Sequence, residues 1–325
     1  MGKDWQDLRA LIVGCGSIGK RHARVLRRMG IKTLFGCDPV PAQVEAAAKE
    51  TRFDGVAGSF EAGLALGPDV VFLCTPPALH VAQAVQAIKA GCHVFSEKPL
   101  SIDLKGIEEL EQLIARSAKK FMVGLCFRYH RGLLEARRML DGGTIGRVVA
   151  IRALMGEHLP DIRPDYRDLY LAKYSGAFEL MHDIDLAIWY AGQDVKSVCG
   201  IHGCFSDIGI EAPDLVEILL EFPDRCVASI HLDFFQLPRR RQIELMGTRG
   251  TITVEFAAWN ECTISVFDAE SRAWTVERMA TERDDMIRDE DGEFLRAVAS
   301  DLPITSTLAE GKKSLGAVLR AQGLV

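Results

Sequence analysis

The sequence predicts an α/β chain in two parts: an N-terminal doubly wound parallel sheet, and a C-terminal α+β domain with a large, mainly antiparallel sheet. Three observations predict it. A chain of 325 residues is long for one core, because a domain usually holds roughly 100–200 residues. Up to about residue 125, short apolar runs alternate with helical patterns, whereas beyond about residue 145 strand follows strand. Near the N-terminus, a buried strand runs directly into a glycine-rich turn that opens a helix.

In the first part the apolar runs 10–13, 33–37, 70–74, 93–96 and 121–125 read as strands. Helical patterns at 18–29, 42–50, 79–90 and 104–117 separate them, a spacing that needs parallel strands with right-handed crossovers. In the second part Val216, Ile218, Leu220 and Phe222 alternate with Leu215, Glu217, Leu219 and Glu221, the period of two that buries one face of a sheet. Strands are expected at 214–222, 225–235, 240–246, 251–256, 263–267 and 274–279, and helices at 132–140, 176–191 and 293–299. A last helix, 308–322, follows Pro303 and Thr307 and offers apolar residues to pack back on the first domain. The expected domains are 1–125 for the cofactor and 126–325 for substrate binding and oligomerisation.

Composition narrows the function. Hydrophobic residues at 48% and charged residues at 26% give a globular balance. A net charge of −6 makes no field to gather nucleic acid or an anionic membrane, and the basic clusters at 20–28 and 239–241 read as solvated faces. Nine cysteines without a C-x-x-C pair fit a reducing cytoplasm and offer no metal cage. No apolar stretch is long enough to span a bilayer, and the charged N-terminus carries no export signal.

The chemistry is expected at the carboxyl ends of the first domain's strands. Gly14, Cys15, Gly16, Ser17, Ile18 and Gly19 spell G-x-G-x-x-G between a strand and a helix. The first Gly makes the tight turn, the second admits a pyrophosphate, and the third lets helix and strand pack closely, the Rossmann pattern. The free N–H groups of the helix start attract the phosphates. Asp38, about 20 residues on at the end of the second strand, is placed to bind the adenine ribose and repel a 2′-phosphate, which favours NAD over NADP. Thr75 and Pro76 end the third expected strand, and Glu97, Lys98 and Pro99 the fourth. There Thr75 is positioned for the cofactor, and the Lys98 ammonium for a substrate hydroxyl or carbonyl.

Gly14 to Gly19 with His22, Thr75 and Pro76 with His80, and Glu97-Lys98-Pro99 together resemble the glucose-fructose oxidoreductase and inositol dehydrogenase family, Gfo/Idh/MocA. The resemblance extends to Gly124 through His130, to Gly146-Arg147-Val148 and to Leu245 through Ile252. It implies that His80, Glu97 and Lys98 also line the cofactor site. It further implies that His182 and Asp185, an H-x-x-D pair on one helix face, belong to the catalytic group. Much of the family has Asp four residues before that His, where this chain has Phe178. One subgroup, associated with acidic or amino-sugar pathways, has its acid at the position of Glu179.

The expected enzyme is an NAD-dependent oxidoreductase acting on a secondary alcohol or ketone of a polyol, sugar or sugar-nucleotide. The cofactor supplies the hydride chemistry. His182 serves as base, on the family's placement and on the ordinary histidine pKa of about 6.5, and Lys98 steadies the charge on the same oxygen. Asp185 and Glu179 would hold neighbouring hydroxyls. Arg128 would take a substrate carboxylate or phosphate, or else form an interdomain salt bridge. The same fold also admits a non-catalytic NAD-binding regulator, or a reductase of an imine or unsaturated bond. Apolar residues between 214 and 235 suggest a homodimer or homotetramer.

Overall fold

The computed structural model describes residues 4–169 and 175–325. They fall into two compact units, one of the residues up to Cys126 with Asp284–Leu315, the other of Phe127–Arg283 with Gly316–Val325.

The first unit is built on six parallel strands: β1 Arg9–Val13, β2 Thr33–Cys37, β3 Gly55–Ala57, β4 Val70–Leu73, β5 His93–Glu97 and β6 Phe121–Gly124. They lie in the order β3-β2-β1-β4-β5-β6, joined by the helices Ser17–Met29, Pro41–Glu50, Phe60–Ala65, His80–Lys89 and Ile107–Arg116. The predicted parallel sheet is thus present, with β3 and the helix Phe60–Ala65 added at one edge. A three-residue strand has no period to read. The order reverses between β1 and β4, and ligands of such sheets bind beyond the carboxyl ends at that point. There Gly14 donates its N–H to Cys37 at 2.8 Å, and Cys74 donates its own to Val13 at 2.7 Å. The helix Arg283–Ser300 begins ten residues before the expected 293. It sets Phe294 against Phe72 and Phe95, with ring centroids 5.5 and 5.8 Å away. In the helix Leu308–Ala321, Lys312 pairs with Glu111 at 3.0 Å.

The second unit holds the predicted large sheet: β7 Val148–His158, β8 Ser197–Gly203, β9 Leu215–Phe222, β10 Cys226–Asp233, β11 Phe235–Gly247, β12 Gly250–Glu255, β13 Glu261–Asp268 and β14 Ala273–Ala280. Its order is β14-β13-β12-β11-β7-β10-β9-β8. Every neighbouring pair is antiparallel except β7 and β10. Val216, Ile218, Leu220 and Phe222 face the core as their alternation predicted, and the helix His182–Ala191 packs on β7 and β10. The other face keeps Ile201, Leu219 and Val227 in solvent. Strands β7 and β8 were not among the expected ones. Among the described residues, no helix is long and apolar enough to cross a membrane.

Candidate active site

The glycine turn after β1 has the shape of a dinucleotide cradle. Gly14 has φ +90°, and a Cβ there would lie 2.5 Å from the Cys74 carbonyl oxygen; a Cβ on Gly19 would lie 1.9 Å from that of Gly14. Both positions therefore demand glycine. A Cβ on Gly16 would meet nothing within 4 Å, and Gly16 caps the helix Ser17–Met29 without a side-chain bond. The first N–H groups of that helix, at Ser17, Ile18 and Gly19, lie where a phosphate can approach the backbone.

Asp38 flanks this turn at the end of β2. Its Oδ2 accepts the Cys15 N–H at 2.8 Å and its Oδ1 the Val40 N–H at 2.9 Å. Each oxygen has a lone pair left for a ribose hydroxyl. The residues present fit NAD.

Next to the cradle, two buried histidines hold the turns that carry Thr75 and Lys98. The His80 ring, 1% exposed, places Nδ1 2.9 Å from the Pro99 carbonyl oxygen and Nε2 2.8 Å from that of Thr75. Burial keeps its pKa below the ordinary histidine value despite both carbonyls. A neutral ring donates to one of these carbonyls at a time. Pro76 is exposed, and the Thr75 hydroxyl donates to Gln83 at 2.6 Å.

Glu97 turns inward as well. Its Oε1 lies 3.0 Å from His22 Nε2, and its Oε2 accepts the Lys98 N–H at 3.0 Å. His22 places Nδ1 2.9 Å from Asp291 Oδ1, with its ring packed against both Phe72 and Phe95. Burial opposes a charge on His22, but the charges and bonds of Asp291 and Glu97 outweigh it and lift its pKa to about 10. Burial likewise works against the Glu97 anion, and the bond and charge of His22 prevail to hold its pKa down. The polar atoms of His80 and Glu97, two residues expected to line the cofactor site, are thus engaged beneath the turns.

In the second unit the expected helix 176–191 breaks in two. A 3₁₀ turn, Gly176–Leu180, precedes the α-helix His182–Ala191. Gly176 has φ +43°, and a Cβ there would lie 2.0 Å from the Pro213 carbonyl oxygen, while Ala177 donates to that oxygen at 2.8 Å. The break makes His182 the first residue of the helix, with its ring 4.8 Å from that of Phe127. Both carboxylates of this first turn are clamped. Arg128 grips Asp185 through Nε at 2.8 Å and Nη2 at 2.7 Å. Arg241, 3.7 Å above the Phe127 ring, grips Asp183 through Nη2 at 2.5 Å and Nε at 3.3 Å. All four side chains are buried.

The structure therefore joins two residues that the sequence offered separately to a substrate. Arg128 and Asp185 are bonded to each other within one unit, where an interdomain bridge had been the alternative. Glu179, by contrast, is exposed. Arg241 lay in a basic cluster read as a solvated face, and that reading fails for it: the Phe127 ring and the Asp183 carboxylate take its guanidinium out of water.

Comparison with known proteins agrees with this geometry. Residues 8–125 match the model of an oxidoreductase family with an NAD-binding Rossmann fold, GFO/IDH/MocA, and residues 133–253 match the C-terminal domain model of the same family. The chain belongs to the GFO/IDH/MocA family. It is an NAD-dependent oxidoreductase, and its first unit carries the cofactor domain. Inositol 2-dehydrogenase of Rhizobium meliloti is 26% identical over 260 residues, 75% of this chain and 74% of that protein. The scyllo-inositol 2-dehydrogenase (NAD(+)) of Bacillus subtilis is 26% identical over 204 residues, 61% of this chain and 57% of its own length. Among solved structures, myo-inositol 2-dehydrogenase from Lactobacillus plantarum has a TM-score of 0.84 at 24% identity, over 98% of this chain and 97% of that one. The WlbA dehydrogenase from Bordetella pertussis, in complex with NADH and UDP-GlcNAcA, has a TM-score of 0.81 at 24% identity over the same shares. At these identities the two structures establish the fold. Sequence reasoning missed two of the buried carboxylates described above, Asp183 and Asp291. Their signal is a carboxylate beside the motif His in one case and within an acidic run in the other, and neither declares a partner.

Proposed function

We propose that this chain transfers a hydride between NAD and a secondary alcohol or ketone carbon of a sugar, cyclitol or sugar-nucleotide. The observation that carries the reading is the first turn of the helix His182–Ala191, where arginines chelate both carboxylates and hold the turn that presents His182. Oxidation of a carbinol removes hydride from carbon and a proton from oxygen, and NAD, when bound, supplies the hydride acceptor. His182 takes the proton and returns it in the reverse direction. Lys98 donates a hydrogen bond to the same oxygen and favours its alkoxide character. Glu179 binds a neighbouring hydroxyl, and Asp38 binds the adenine ribose. Arg128 and Asp185 act together as the brace that fixes the orientation of His182.

The protein is expected to work in the cytoplasm as a homodimer or homotetramer that covers Ile201, Leu219 and Val227 on the open face of its sheet. The test is NADH formation with a panel of inositols, hexoses and sugar nucleotides, on wild type and Lys98→Met. We expect turnover on at least one member and, in the variant, a loss of roughly 10²–10³-fold or more with unchanged NAD affinity by calorimetry. Undiminished turnover by Lys98→Met would overturn the reading.

A further inference from the structure

The largest buried group of ionisable side chains in the first unit has no part in the chemistry proposed above. It runs from Asp291 through His22 to Glu97 and ends on the Lys98 N–H, with contacts of 2.9, 3.0 and 3.0 Å. Asp291 and His22 are fully buried, and Glu97 is 8% exposed. Its members come from the helix Arg283–Ser300, the helix Ser17–Met29 and the end of β5, so three elements meet at one backbone amide. On the other side of Lys98, the Pro99 carbonyl oxygen faces His80. The backbone is therefore held on both sides of Lys98 by buried imidazoles, at the Lys98 N–H through Glu97 and at the Pro99 carbonyl directly.

Taking two carboxylates and an imidazole out of water is unfavourable unless each is paired. Stability alone is served as well by apolar residues of the same volume, and Phe72 and Phe95, with Phe294 packed on both, already fill the space beside the ring. What an apolar substitute cannot do is hold a carboxylate oxygen at a fixed place against one N–H. A misplacement of about 1 Å in a group that touches the reacting oxygen can lower a rate about 100-fold.

We propose that Asp291, His22 and Glu97 form a positioning chain that fixes the backbone of Lys98, and that His22 is its central positioning residue. The inference rests on the reading of Lys98 given above. His22 touches no substrate; it acts by holding Glu97, which holds the Lys98 N–H.

The test compares His22→Gln with Phe294→Leu, which loosens the same core without touching the chain. Hydrogen exchange of the Lys98 amide, NAD affinity, kcat, KM and Tm are measured on the full-length protein. In His22→Gln, exchange at the Lys98 amide should rise at least tenfold and kcat should fall at least tenfold, with KM and NAD affinity within about threefold of wild type. Phe294→Leu should lower Tm to a similar degree and leave amide exchange at Lys98 and kcat within twofold. Asp291→Asn, which keeps an acceptor and loses the charge, should fall between wild type and His22→Gln in both readouts. Equal effects of His22→Gln and Phe294→Leu at matched Tm, or an unchanged Lys98 amide in His22→Gln, would overturn the proposal. Lys98→Met is run in parallel. If it keeps full turnover while His22→Gln still frees the Lys98 amide, the catalytic role of Lys98 fails and the chain stands. If it is inactive while His22→Gln keeps its kcat, the chain fails alone.

Discussion

The two units solve one mechanical problem with different chemistry. In the second, the turn behind His182 is held by guanidinium–carboxylate pairs, Arg128 with Asp185 and Arg241 with Asp183. In the first, the turn that carries Lys98 is held by an imidazolium between two carboxylates. A guanidinium keeps its charge at any pH a protein survives, so the mount of His182 does not titrate on the alkaline side. The mount of Lys98 does, because His22 loses its proton near pH 10. The difference shows that a buried charge cluster is only as durable as the most easily titrated of its members.

Breaking an arginine mount should have the largest effect on stability. Arg128→Met takes the two-pronged guanidinium away from the buried Asp185 carboxylate, and should destabilise the protein by about 3–5 kcal/mol in denaturant unfolding. Arg128→Met combined with Asp185→Leu should recover most of that stability without recovering turnover, because the brace would be gone though the charge is no longer stranded. Equal losses in the single and double variants would show that the pair does not act as a unit.

The pH dependence separates the two mounts. The folded pKa of His22, about 10, lies above its ordinary 6.5, so its contribution to stability is fully present below about pH 6.5 and is lost as pH rises through 10. Peptides from the helix Ser17–Met29 and β5 should lose exchange protection between pH 7 and pH 10, after correction for the intrinsic rate. Those from the helix His182–Ala191 should keep theirs. A parallel decline in both units would erase the distinction.

Much of this was legible beforehand, for definite reasons. The glycine turn, Asp38 and Glu97-Lys98-Pro99 each follow a strand within a few residues, so their placement needs only local pattern. The alternation from Val216 to Phe222 fixed β9 in the same way. Strand β7 escaped because Val148–His158 interleaves Ala150, Arg152 and Ala153 without a clean period, although it lies at the centre of its sheet. The start of the helix Arg283–Ser300 escaped because Asp284, Asp285, Asp289, Glu290 and Asp291 leave it few apolar residues from which a period could be read. In fact Glu290 and Asp291 are fully buried, and Asp291 meets His22 across 269 residues of sequence. No local period encodes such a pairing.

Glu290 supplies the smallest effect and refines the account of the first mount. Its carboxyl group lies wholly out of water. Burial, with the charges of Glu97 and Asp291, pushes its pKa well above the ordinary carboxyl value. A raised carboxyl pKa contributes stability below the unfolded value and loses it as pH rises through the folded one. Glu290→Gln should therefore raise Tm by roughly 2–4 °C at pH 8 and leave it nearly unchanged at pH 4. A lower Tm at both values would mean that the carboxyl makes a bond the amide cannot replace.

The proposed reaction depends most on an imidazole that moves the substrate's proton and takes no part in holding NAD. His182→Ala, assayed on whichever polyol or sugar-nucleotide the wild type oxidises, addresses this directly. Turnover should fall about 10²–10⁴-fold while calorimetry returns the wild-type NAD affinity. Wild-type turnover in His182→Ala would contradict the account.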